Sequence, residues 1–213
     1  MQQTIFTLLW SLFGAACGML LILPAVWLTG KLLKKRSLEK VTLTGKALAA
    51  ALTVAGLAGG FVAWRSGLSV QMLYGLLMLC IAMMIAFIDA KHRIIPNELV
   101  LSVIALPALF GALGWIRFDW ISSLTGFVVC FILFLLPVML KKKIGAGDVK
   151  LAAAMGFALG LTGSMAAVAV MGALVLVYTL AEQRVLSLTA MKRMIPMGPF
   201  LAAALVIVQA AMI

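Results

Sequence analysis

The chain has 213 residues, 65% of them hydrophobic, and a formal net charge of +11. A soluble domain is roughly half apolar, so this chain cannot cover its exterior with polar groups, and a soluble globular fold is excluded. The charge does not point to nucleic acid, because the basic residues fall in short loops between apolar runs, where they favour anionic membrane lipids instead.

The apolar runs lie at about residues 5–30, 47–64, 69–88, 98–116, 120–140, 149–160, 164–181 and 195–213. They are long and continuous, so they predict membrane-crossing helices rather than the alternating strands of a barrel. The first opens "MQQTIFTLLWSLFGAACGM", which has no basic n-region and reads as a retained signal-anchor helix. The loop after it, "KLLKKRSLEKVTLTGK" (31–46), is strongly basic. The third run closes on "CIAMMIAFID" and turns through "AKHRIIPNEL" into the fourth. Pro107 and Pro137 fall inside the fourth and fifth runs and predict kinks. The sixth run is short, and "GLTG" (160–163) separates it from the seventh. An unbroken helix over 149–181 would be roughly 50 Å long, too long for a bilayer unless tilted or broken.

Charge decides the count of crossings. With eight, all of the seventeen basic residues except Arg65 and Arg117 fall on one side. The positive-inside rule makes that side cytoplasmic and puts both termini outside the cytoplasm, in the inner (plasma) membrane. Seven crossings would send Arg184, Lys192 and Arg193 to the other side. The expected fold is therefore an all-α, polytopic transmembrane helix bundle with a short sixth helix. It forms one domain: residues 1–68 supply two helices joined by the basic loop, and 69–213 supply a helical core. The spacings Gly14/Gly18, Gly56/Gly60 and Gly156/Gly160 predict close helix packing. Cys17, Cys80 and Cys130 are far apart in apolar runs and read as packing residues.

The six acids carry the functional signal. Glu39 lies in the basic loop, Asp119 reads as a cap before "WISSL", Glu182 ends an apolar run near Arg184, and Glu98 suits the first turn of a helix. Asp89 closes the third run, and Asp148 begins the sixth behind Gly145 and Gly147. With eight crossings these two acids share one side and one depth. Two carboxylates within a few ångströms cannot both ionise easily and titrate as a unit, which is what an aspartic protease needs. The glycines would permit unusual backbone angles and the close approach of an extended substrate. Buried acids also mark ion pathways, so a small proton- or ion-coupled transporter is a second reading. A non-catalytic assembly subunit is a third.

"GAGDVKL" resembles the GxGD signature of membrane aspartic proteases, with a lysine two residues after the aspartate. "DAKHRIIPN" and "IPMGPFLA" resemble two further motifs of the type IV prepilin peptidases. The presenilin branch carries a Pro-Ala-Leu motif near its C-terminus; here the one Pro-Ala-Leu, residues 107–109, lies before "GAGDVKL", and the C-terminal proline segment is "IPMGPFLA". The resemblance covers about residues 69–213. It implies an endopeptidase that removes the short basic leader of prepilins or pseudopilins on the cytoplasmic side, with Asp89 and Asp148 as the catalytic pair and no metal or other cofactor. It also implies that Gly145, Gly147, Lys150, Pro96, Asn97, Pro196, Gly198 and Pro199 shape the site or contact substrate. Many members carry a cytoplasmic insert with two CxxC pairs and also methylate the new N-terminus. Loop 31–46 has no cysteine, which weakens the case for N-methyltransferase activity and S-adenosylmethionine binding.

Overall fold

The structure, a computed structural model, describes residues 2–43, 45–140, 145–183 and 196–212. Among the described residues there are eight helices: α1 (Gln2–Leu20), α2 (Ile22–Lys35), α3 (Gly45–Ser66), α4 (Val70–His92), α5 (Asn97–Ala112), α6 (Trp120–Met139), α7 (Ala146–Gln183) and α8 (Gly198–Met212). No strand occurs among the described residues. Five segments are long and apolar enough to cross a membrane, and α5 and α8 are shorter apolar helices. The protein is a polytopic helical membrane protein.

Helix numbering and crossings part company at two places. The first expected run becomes α1 and α2. Leu21 between them is right-handed helical and keeps the ladder, donating to the Cys17 carbonyl and accepting from Ala25 N–H, each at 3.0 Å. Phe6–Lys35 is therefore one span of 30 residues. It outruns the expected end at residue 30 because Leu32 and Leu33 keep an apolar face turned inward, Leu33 being fully buried.

The second place is α7. Its 38 residues contain a break at Gly160, with φ 68° and ψ −177°. Only glycine takes such angles without strain. The break falls at the first residue of the predicted "GLTG" interruption. Leu161 N–H, orphaned by the break, donates to Ser122 Oγ at 3.1 Å near the start of α6. Tyr178 then packs on Phe200 at the start of α8. The chain thus turns back at Gly160, and α7 supplies both the sixth and the seventh crossing.

Small residues set the helix spacing. Gly14 and Gly18 of α1 lie against Ala55, Gly59 and Ala63 of α3, and Gly126 of α6 lies against Gly156 and Gly160 of α7. A Cβ at these positions would meet backbone, so the contacts are closed to any larger side chain. Without a hydrophobic force between helices in lipid, such close van der Waals packing is what holds them. Cys17, Cys80 and Cys130 are unpaired. Helix α4 is the buried axis: Met78, Ile85 and Ile88 are inaccessible and share the core with Leu151 and Met155 of α7 and with Leu201 and Leu205 of α8.

Two ends of the bundle follow from the contacts. At one end, Arg36 reaches Glu98 at the start of α5, Lys150 near the start of α7 reaches Asn97, and the start of α8 meets Asp89. At the other, Arg65 at the end of α3 donates to the Ala211 carbonyl of α8 at 3.0 Å, satisfying one of the last carbonyls of that helix. Arg36, Lys91, Arg93 and Lys150 thus gather at the first end, and Arg65 and Arg117 at the second. Lys141, Lys142, Lys143, Arg184, Lys192 and Arg193 lie outside the described residues, as does the Glu182 side chain.

Candidate active site

Asp89 stands one turn before the end of α4 and is only 5% exposed. The helix stops at Arg93, which is left-handed (φ 54°, ψ 39°) and donates its N–H to the Asp89 carbonyl at 2.9 Å. This turn throws "IIPN" across the end of the bundle. The Asp89 carboxylate faces the first turn of α8, where its Oδ2 accepts the Gly198 N–H at 2.9 Å. That N–H is one of the unpaired donors at a helix start, and the helix dipole favours an anion there. Position 198 must be glycine for this approach: an added Cβ would lie 2.7–2.8 Å from the Asp89 Oδ2, Cβ and Cγ. Pro199, next in the first turn of α8, removes an N–H that would have had no partner in the helix. Pro196 and Met197 lead into this turn, and the Met197 carbonyl accepts from Phe200 and Leu201 N–H.

Asp148 lies in the first turn of α7. Its N–H donates to the Gly145 carbonyl at 3.0 Å, and its carboxyl accepts from the Gly145 N–H. The bond from the Gly145 N–H is the one half of a capping box that a glycine at the helix start allows, and it ties the carboxyl to that start. Asp148 is close enough to Asp89 to feel its charge, and the Arg93 guanidinium also acts on Asp89. Two carboxylates from α4 and α7 therefore lie at one end of the bundle, where α5, α7 and α8 all begin.

The glycines depart from one part of the expectation, the backbone angles. Neither Gly145 nor Gly147 is in the left-handed region, so unusual backbone angles are not their role. They permit close approach instead. A Cβ at Gly147 would lie 3.2 Å from Ile95 Cβ, and one at Gly145 3.0 Å from Asp148 Oδ2. Gly147 thus lets the first turn of α7 rest on the "IIPN" segment. Pro96, buried, is the N-cap of α5, with φ −61° and ψ 134°. Asn97 begins the helix, and its Oδ1 accepts from Lys150 Nζ at 3.3 Å. Lys150 therefore ties α7 to α5 rather than pairing with either aspartate.

Several contacts around the site have no counterpart in the expectations. Arg36 pairs with Glu98 at 2.7 Å, so Glu98 is engaged by the first loop as well as by its own helix start. Lys91 Nζ donates to the Lys40 carbonyl at 2.7 Å and lies 3.3 Å from Glu39, while the His92 ring sits 2.9 Å from the Glu39 carbonyl. The basic loop is thereby strapped across the end of α4. The only signal for this in the sequence is that acids and bases alternate between two loops assigned to the same side. Asp119 caps α6 as expected, accepting from Ile121 N–H at 3.0 Å. Among the described residues, no group of three or more His, Cys, Asp or Glu could hold a metal ion.

No curated protein and no solved structure matches the chain. The model of the type IV leader peptidase family matches residues 76–180, a span that includes Asp89, Asp148 and the "IIPN" segment between α4 and α5. With the paired carboxylates and the helical membrane fold, this match places the chain in the type IV leader peptidase family.

Proposed function

We propose that the protein is an aspartic endopeptidase that removes the short basic leader from type IV prepilins or pseudopilins. The observation that carries this reading is the meeting of Asp89 and Asp148, from separate crossings, at one end of the bundle with their charges in reach of each other. A water between them would lose a proton to the ionised carboxylate as its oxygen attacks the scissile carbonyl. The protonated partner would donate to the carbonyl oxygen, and collapse of the tetrahedral species would pass a proton to the leaving amine. Gly198 and Gly145 N–H groups hold the two carboxyls in place for this exchange.

In this reading Gly147, Pro96, Asn97, Lys150, Pro196 and Pro199 build the walls of the site and touch no reacting atom. The basic residues gathered at the Asp89 end support a cytoplasmic position for the site, with both termini on the other side. Removal of the leader, not N-methylation, is the activity proposed.

The test is co-expression with a candidate prepilin, read by its size on a gel. Asp89→Asn and Asp148→Asn should each abolish processing while leaving the amount of membrane-inserted protein unchanged. Mature pilin appearing with either acid neutralised refutes the two-carboxylate mechanism.

A further inference from the structure

The end of the bundle opposite the aspartates holds a cleft of about 400 Å³ that the peptidase reading does not use. Its polar lining is Gln71 and Tyr74 at the start of α4, Arg117 in the loop before α6, and Gln209 near the end of α8. Its apolar lining includes Phe118, Leu159 and Met212. Gln209 is 5% exposed, and neither its amide nitrogen nor its amide oxygen has a hydrogen-bond partner in the protein. A buried carboxamide left unpaired is strongly unfavourable, so the site needs a polar occupant. Arg117 is exposed at the rim and has no ion pair among the described residues. Asp119, two residues on, makes no ion pair with it and caps α6 instead.

The position of the cleft narrows its occupant. Trp64, Trp115 and Trp120 are about half exposed at this end, and Arg65 lies beside the Ala211 carbonyl. Exposed tryptophans with arginines mark the depth of lipid head groups. A cleft of this size exceeds what one or two waters occupy, at about 30 Å³ each, and its walls are partly apolar. A single cation suits one phosphate diester better than a free, doubly charged phosphate. We propose that the cleft is a phospholipid site for the leaflet opposite the aspartates. Arg117 takes the phosphate, Gln71 and Gln209 bond the polar linkage behind it, and Phe118, Leu159 and Met212 receive the first carbons of the chains.

The test uses the full-length protein in a neutral detergent, titrated with dihexanoyl phosphatidylglycerol, dihexanoyl phosphatidylcholine or sodium phosphate while thermal unfolding is followed. Both lipids should raise the midpoint saturably, and phosphate at the same concentration should not. Arg117→Gln should weaken lipid binding about tenfold or more, the worth of one charge-assisted hydrogen bond. Lys31→Gln removes the same charge at the other end, where Lys31 lies over Trp27, and should change nothing. Gln209→Leu should fold, with a midpoint without lipid no lower than wild type, yet lose the lipid response. Unchanged lipid affinity in Arg117→Gln, an equal loss in Lys31→Gln, or a phosphate response matching that of lipid would overturn the proposal.

Discussion

Replacing Gly198 with alanine tests the geometry of the site without touching either acid. The new methyl carbon would stand 2.7 Å from Asp89 Oδ2 and 2.8 Å from its Cβ and Cγ, well inside van der Waals contact. Asp89 is packed at 5% exposure near the end of α4 and cannot swing away freely, so the first turn of α8 must move. The 2.9 Å bond from Gly198 N–H is then lost or lengthened. A hydrogen bond to a charged group contributes about 1.5–3 kcal/mol, so processing should fall by roughly tenfold to a hundredfold if the bond is kept through the reaction. Gly172→Ala in α7 is the matched control. Nothing lies within 4 Å of its added Cβ, and alanine is favoured over glycine by about 1 kcal/mol in a helix, so activity should persist and stability rise slightly. The assay is the initial rate of prepilin cleavage in membranes, normalised to folded protein by thermal unfolding in detergent. Wild-type rates in Gly198→Ala, or a rate loss no greater than the loss of folded protein, would refute the claim that this N–H positions Asp89.

Three further outcomes follow from the contacts. Gly147→Ala should slow cleavage severalfold by pressing on Ile95 Cβ, and Gly147→Ala with Ile95→Gly, which removes that carbon, should recover part of that rate; a double variant slower than both singles would show that the contact is not what matters. Gly156→Leu should drive α6 from α7 and destabilise the fold by at least about 1–3 kcal/mol, seen as a lower unfolding midpoint and reduced membrane yield, whereas Leu161→Ala, on a residue 38% exposed, should have a much smaller effect. Arg36→Gln should cost no more than about 1 kcal/mol, because both members of the Arg36–Glu98 pair are over a third exposed; a loss of stability much beyond that, or one indifferent to salt, would mean the pair does more than join two surfaces.

The sequence announces the crossings because the apolar runs are long, and it announces the break in α7 because glycine flanks the only run too short to span. It does not announce which helix is central. Helices α4 and α6 have similar hydropathy, 2.2 and 2.4, yet 67% of the α4 window is buried against 22% for α6. Lipid and protein interior are alike in polarity, so residues facing either look the same in the chain. The end of the first span is not legible in the sequence either. Its lysines suggest a loop, but their long stems let a helix run on past the hydrocarbon core.

The two aspartates stand out because acids are rare in such runs. What holds them does not, since backbone N–H groups such as that of Gly198 leave no trace in composition. The Arg36–Glu98 pair joins residues 62 apart, and no local pattern points to it. Conversely, the sequence locates Gly145 and Gly147 beside Asp148 but suggests unusual backbone angles that neither adopts. A glycine signals freedom of angle and smallness equally, and only the neighbour, here Ile95, decides between them.

Helix α8 is fastened at both tips, to Asp89 at one and to Arg65 at the other. It has 15 residues, about 22 Å of rise, against a hydrocarbon thickness of about 30 Å. A strut this short, fixed at each end, cannot lengthen to match its surroundings, and α5 is nearly as short. A helix this short is accommodated by local thinning of the bilayer, by snorkelling flanking residues or by association with a neighbour. Such thinning would bring head groups and water closer to the Asp89 end of α8 than a bilayer of full thickness allows.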